Sequence, residues 1–173
     1  ILGRSRFGPS VFGCQAPDSG NAEILAKFGT PEQKETYLKP LLNAEIASCY
    51  SMTEPQAGAD PGEFLCTATR DGDDWVINGE KWFASHARFS AFLLVMVVTN
   101  PDVPIHKGAS IFLVEQGTPG MEIIRNSAVG PYIEQGDGVH AYISFKDCHV
   151  PAENLLGNEG QGFHVAQTRL GGG

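Results

Sequence analysis

The chain lacks any apolar run approaching the roughly 18 residues that read as a membrane-spanning helix; residues 91–98 fall well short. Positive charge is scarce. Twelve Lys and Arg face twenty Asp and Glu, a formal net charge of −8. That balance argues against nucleic acid or an anionic membrane as a main partner, since both select cationic surfaces. A local basic patch for a phosphate-bearing ligand stays open. Cysteine is sparse: Cys14, Cys49, Cys66 and Cys148, with no C-x-x-C pair. They read as free, mostly buried thiols under reducing conditions rather than a disulfide framework. The five histidines are scattered. Cys148-His149 with His140 fits no zinc spacing, so no metal is expected. Repeats, low-complexity tracts and charge runs are missing. No targeting pattern follows Ile1. The chain opens without Met and stops at Leu170-Gly171-Gly172-Gly173, which we read as a piece of a longer protein.

What is present belongs to a folded protein. Of 173 residues, 42% are hydrophobic and 18% charged, enough for one core and one or two small domains. Residues 1–19, rich in Gly, Pro and Ser, read as a connector. Residues 21–28 form a short helix with Ile24, Leu25 and Phe28 on one face and Gly29 at its stop. Thr30-Pro31-Glu32-Gln33 is a fresh helix start: Thr30 caps, Pro31 takes the first position and Gln33 completes a capping box. Pro40 predicts an end near Leu38.

The period changes after residue 63. Residues 64–69 read as a strand and 71–74 as an Asp/Gly turn. Residues 75–83 read as a hairpin folded at Asn78-Gly79, a pair suited to a type I′ turn. Residues 91–99 predict a strand buried on both faces, and 101–108 a loop. Further strands fall at 109–115, 121–124 and 139–146. In the last, Val139, Ala141, Ile143 and Phe145 alternate with more polar residues. A helix begins near Gly160. The fold class is α+β, with an antiparallel β-barrel or sandwich flanked by helices.

Between the helical and β regions lies Tyr50-Ser51-Met52-Thr53-Glu54-Pro55-Gln56-Ala57-Gly58-Ala59-Asp60. Pro55 removes one N–H and biases Glu54 toward extended backbone. Gly58 permits a turn or a close approach. The segment reads either as a plain linker or as a loop offering backbone N–H groups and the Ser51 and Thr53 hydroxyls to a planar, acceptor-rich ligand. Glu54 reads as a bonder of backbone N–H groups rather than a catalytic base. Trp82 and Phe83 read first as core residues.

Three motifs carry a family resemblance. Thr53-Glu54-Pro55-x-Ala57-Gly58-x-Asp60 resembles the flavin-binding signature of the acyl-CoA dehydrogenases, commonly TEPxAGSD. Asn78-Gly79-Glu80-Lys81-Trp82-Phe83-Ala84-Ser85 resembles that family's NGxKxWITN strand. Pro151-x-x-Asn154-x-Leu156-Gly157 with Gly160-Gln161-Gly162-Phe163 resembles the boundary before its C-terminal helices. The nearest look is to the long-chain families 10 and 11.

The resemblance implies three parts: residues 1–48 as the end of an N-terminal helical domain, 49–157 as a central β-domain, and 158–173 as the start of a C-terminal helical domain. It implies FAD along the barrel edge, an acyl-CoA substrate, and α,β-desaturation with hydride transfer to flavin N5. Tyr50, Met52 and Thr53 fall at the flavin ring. Gly58 and Ala59 fall near the pyrophosphate, with Ala59 also near substrate. Phe83, Ala84 and Ser85 occupy the W-I-T triplet. Two departures stand out: Ala59 replaces the motif Ser, and Phe83 replaces the motif Trp unless Trp82 takes that role by a one-residue slip. The family's catalytic base lies in the C-terminal helices, so no catalytic residue is expected in this chain. An electron-transfer flavoprotein or similar acceptor, a homodimer or homotetramer, and a bacterial cytoplasmic, mitochondrial or peroxisomal setting also follow from the resemblance. The rival is a non-catalytic binding or assembly module that has lost FAD.

Overall fold

The computed structural model describes residues 4, 5, 7–127 and 140–170. Short helices come first: α1 (Gly8–Val11), α2 (Asp18–Phe28) and α3 (Pro31–Gln33). The capping box forms as the sequence predicts. Gln33 N–H donates to Thr30 Oγ1 at 3.2 Å, and Thr30 N–H donates to Gln33 Oε1 at 3.1 Å. Pro40 does not end the helix. Lys34–Leu38 widens into a π turn, in which Lys39 N–H bonds Lys34 O, and α4 (Lys39–Leu42) continues beyond it. Pro40 has no N–H to give, and it enters in the first turn of that new segment, where none is demanded.

Seven strands form one curled sheet in the order β1-β4-β2-β3-β7-β6, with β5 also on β4. They are β1 (Ser48–Ser51), β2 (Thr67–Asp71), β3 (Asp74–Ser85), β4 (Phe92–Val98), β5 (Ala109–Glu115), β6 (Met121–Ser127) and β7 (His140–Val150). Most pairs are antiparallel; β4 runs parallel to β1 and, at one rung, to β2. Val139, expected to open the last strand, lies outside the described residues. The 101–108 loop contains a single turn, α5 (Ile105–Gly108), and α6 (Gly162–Leu170) closes the described chain.

All seven residues of β4 are buried, as a strand covered on both faces requires. Leu93, Val95 and Val97 join Trp75, Ile77, Phe112, Ile143 and Phe145 on one side of the sheet. Phe92, Leu94, Met96 and Val98 pack on the other against Ile24, Leu25, Leu41 and Val165 of the helices. Each fully buried aliphatic side chain contributes about 1.5–3 kcal/mol, so this double-sided strand anchors helices and sheet together.

The expected Asn78-Gly79 hairpin is absent. The expected 71–74 turn forms, at Gly72-Asp73 with Gly72 at φ +62°, and β3 then runs unbroken through Asn78 and Gly79. Two facts explain this. Asn78 serves the opposite strand: its Oδ1 accepts from Asp147 N–H at 2.9 Å, across a bulge where Asp147 has φ +46°. Gly79, at φ +135°, allows close approach; a Cβ there would sit 2.6 Å from Cys66 Cα.

Candidate functional site

Alternation along β3 buries Trp75, Ile77 and Lys81, then Ala84. The phase changes because β3 carries an extra residue between Lys81 and Ala84, which pair with Ile143 and Ala141. Trp82 and Phe83 form this bulge, with Phe83 at φ +54°. Their rings stack at 5.2 Å and 10°, and Phe83 is 46% exposed. Trp82 is pinned from behind: Nε1–H donates to Ser127 Oγ at 2.6 Å, and the Arg125 guanidinium lies 5.5 Å from its ring. Trp82 is therefore the fixed inner ring and Phe83 the outward one.

The Thr53 loop reaches this bulge through its backbone and a buried ion pair. Trp82 N–H donates to Thr53 O at 2.7 Å. Lys81, fully buried, donates through Nζ to Glu54 Oε1 at 2.7 Å and to Met52 O at 2.9 Å. Glu54, also buried, accepts from Leu65 N–H at 2.6 Å, Cys66 N–H at 3.1 Å and Gln56 Nε2 at 2.7 Å. Glu54 thus bonds backbone N–H groups as its sequence context predicts. Burial lowers the Lys81 ammonium below its ordinary range, opposed by Cys66 and Glu54; the Phe64 ring, 4.5 Å from Nζ, offers further compensation.

The expected site residues are placed as follows. Thr53 is half-buried; its carbonyl is taken by Trp82, and its hydroxyl has no partner among the described residues. Met52 gives its carbonyl to Lys81, and its sulfur lies 3.9 Å from the Tyr50 hydroxyl. Tyr50 sits beneath the Arg169 guanidinium, 4.2 Å from the ring, and burial pushes its hydroxyl up to about 12. Gly58 and Ala59 are exposed, and a Cβ on Gly58 would meet nothing within 4 Å. Ala84 points into the core, so only its backbone faces the edge. Ser85 is half-buried, 2.8 Å from His140 Nδ1. Phe83 and Ser85 both neighbour His140, and the Thr53 carbonyl joins the same β3 bulge through Trp82 N–H.

Sequence reasoning missed Lys81 and His140. Lys81 was legible: it shares the inward phase of Trp75 and Ile77, and a lysine there demands a buried partner. His140 carries no local signal, since its partner is 55 residues away. A groove of about 880 Å³ lies elsewhere, between the first helices and the start of β4, lined by Ser10, Val11, Asp18, Leu41 and Phe89 among others; none of the expected site residues lines it. Among the described residues no group of three or more His, Cys, Asp or Glu side chains could hold a metal ion, and no helix is long and apolar enough to cross a membrane.

This fold has counterparts among known proteins. The family model described as acyl-CoA dehydrogenase, middle domain, matches residues 49–148, more than half of the chain, which therefore belongs to the acyl-CoA dehydrogenase family. Acyl-CoA dehydrogenase family member 11 of Gallus gallus is 42% identical over 175 residues, covering 99% of this chain and 22% of that protein. Butyryl-CoA dehydrogenase from Megasphaera elsdenii superposes with a TM-score of 0.78 at 32% identity, over 87% of this chain and 38% of the other. The FAD complex of PigA superposes with a TM-score of 0.78 at 28% identity, over 86% and 38%. The chain thus spans about a fifth of the length of the family member 11 relative.

Proposed function

We propose that the chain forms the flavin-holding edge of an FAD-dependent acyl-CoA dehydrogenase. Residues 49–157 form its central β-domain, 1–48 the end of the preceding helical domain, and 158–173 the start of the following one. One observation supports this reading: the Glu54–Lys81 pair and the Trp82–Thr53 bond tie the Thr53 loop to the β3 bulge that carries Phe83, two residues before Ser85. The residues fit FAD. An unclaimed hydroxyl, an exposed aromatic face and a glycine with open space where a Cβ would stand suit a planar, acceptor-rich ring carrying a pyrophosphate.

When bound, FAD supplies the hydride acceptor for α,β-desaturation of an acyl-CoA thioester. The chain's own residues orient and shield. Thr53 and Ser85 would hold the ring by hydrogen bonds from their hydroxyls, and the Ala84 backbone lies between Ser85 and Phe83. Phe83 excludes water from one face. Tyr50 and Met52 would lie behind the ring, with the Arg169 guanidinium stacked on Tyr50. Gly58 and Ala59 leave room for the pyrophosphate and the substrate. We assign the removal of the α-proton to no residue of this chain and place the base in the parent enzyme's C-terminal helices. The parent passes electrons to an electron-transfer flavoprotein or similar acceptor and assembles as a homodimer or homotetramer. It works in the cytoplasm of a bacterium, or in mitochondria or peroxisomes of a eukaryote.

The test is flavin content of the full-length parent by absorbance and by release on denaturation. Stoichiometric FAD, reduced on addition of an acyl-CoA in wild type and lost or shifted in potential in Thr53→Ala/Ser85→Ala, supports the reading. No FAD after reconstitution refutes it in favour of the non-catalytic assembly module.

A further inference from the structure

We infer that His140 is a positioning residue that sets which way the Ser85 hydroxyl points its proton at the cofactor edge; this rests on the flavin reading above. Ser85 and His140 are cross-strand partners at the end of the β3–β7 ladder, and Ser127 of β6 pairs with His140 from its other side. Ser85 Oγ lies 2.8 Å from His140 Nδ1. The Phe83 ring meets the same imidazole edge-on, 6.5 Å between centroids at 73°. The proposed ring cover and the proposed hydroxyl partner of the cofactor therefore share one neighbour. The bulge makes this possible, because it turns Phe83 outward while leaving Ser85 in register with His140.

The chemistry follows from counting protons. A serine hydroxyl has one proton and two lone pairs, and a neutral imidazole has one donor and one acceptor nitrogen. With Nδ1 bare, Ser85 donates to it and shows only lone pairs outward, which suits an N–H. With the proton on Nδ1, Ser85 accepts it and turns its own proton outward, which suits a bare ring nitrogen. An exchange between the two imidazole tautomers moves one proton from Nδ1 to Nε2 through water, with no net gain or loss. The pair can thus meet a flavin nitrogen that is an acceptor when oxidised and an N–H when reduced. A serine held by a fixed one-way partner serves only one of these.

The test uses the full-length flavoprotein and reads FAD occupancy, visible spectrum and midpoint potential in wild type, Ser85→Ala, His140→Ala, His140→Asn and the double Ala variant. His140→Ala should keep stoichiometric FAD and change the ratio of reduced to oxidised flavin at fixed potential about two- to tenfold, the span of one net hydrogen bond. His140→Asn, whose amide can donate or accept, should restore it. The double variant should shift no further than Ser85→Ala alone. His140→Leu, which keeps the volume, repeats the comparison if the Ala variant does not fold. Retained FAD with an unshifted potential in His140→Ala, or in His140→Leu where the Ala variant does not fold, or shifts that add to that of Ser85→Ala, overturns the positioning role and leaves the flavin reading intact. A wild-type protein without FAD overturns both.

Discussion

Removing either partner of the buried Lys81–Glu54 pair should be costly, and unequally so. Lys81 is 0% exposed and Glu54 3%. Breaking such a pair costs about 3–5 kcal/mol, because a charge is left buried without its counter-ion. The hydrogen bonds decide the asymmetry. After Lys81→Met, Glu54 keeps Leu65 N–H, Cys66 N–H and the Gln56 amide. After Glu54→Leu, the Lys81 ammonium keeps only the Met52 carbonyl, and two backbone N–H groups lose their acceptor. Each orphaned group adds about 1–3 kcal/mol. We therefore expect about 3 kcal/mol for Lys81→Met and at least about 5 kcal/mol for Glu54→Leu. The double variant, with neither charge, should recover part of the loss. Hydrogen exchange of the Leu65 and Cys66 amides in the full-length protein reads this locally. About 3 kcal/mol corresponds to roughly 150-fold faster exchange where opening is a fast pre-equilibrium. Equal or reversed costs, or unchanged protection in Lys81→Met, would refute the asymmetry argument.

Three further outcomes are expected. A thiol reagent should modify Cys14 in the native protein and spare the other three, because burial raises Cys66 to about 12, Cys148 to about 11 and Cys49 further; labelling of all four without denaturant would contradict this. Tyr37 is pushed from 10.0 to about 12 by burial and by its hydrogen bond to Glu115. Its raised value contributes stability that is full below pH about 10 and lost as pH climbs through about 12, so Tyr37→Phe should flatten that stretch of a stability–pH curve. Gly79→Ala should cost about 1–3 kcal/mol from backbone strain alone, with more from the 2.6 Å approach to Cys66; a variant with wild-type amide protection in β2 and β3 would show that the strands separate freely there.

The parts legible in the sequence are those fixed by near neighbours. The Thr30 capping box spans four residues and forms both of its bonds. Residues 109–115 coincide with β5, and 92–98 of the predicted 91–99 form β4. The illegible parts are those where a distant partner overrides local preference. Asn78-Gly79 has the chemistry of a turn, yet Asp147 and Cys66 hold it in a strand. Pro40 has the chemistry of a helix stop, yet a π turn absorbs it. For the candidate site, motif residues locate the Thr53 loop and the β3 edge. The ion pair that joins them, and His140 beside Ser85, appear only when strands 27 and 55 residues apart are brought together.

The bulge in β3 also separates shape from chemistry at the scale of a single codon. Trp82 and Phe83 together stand opposite one residue of β7, while Lys81–Ile143, Ala84–Ala141 and Ser85–His140 are set on either side of them. Loss of Phe83 would leave every one of those rungs matched and the pleat regular. It would erase the outward ring and its left-handed backbone. A shorter gene could thus encode the same sheet without the outward Phe83 ring, and a one-residue deletion, not a substitution, is the shortest path from this bulged edge to a regular one.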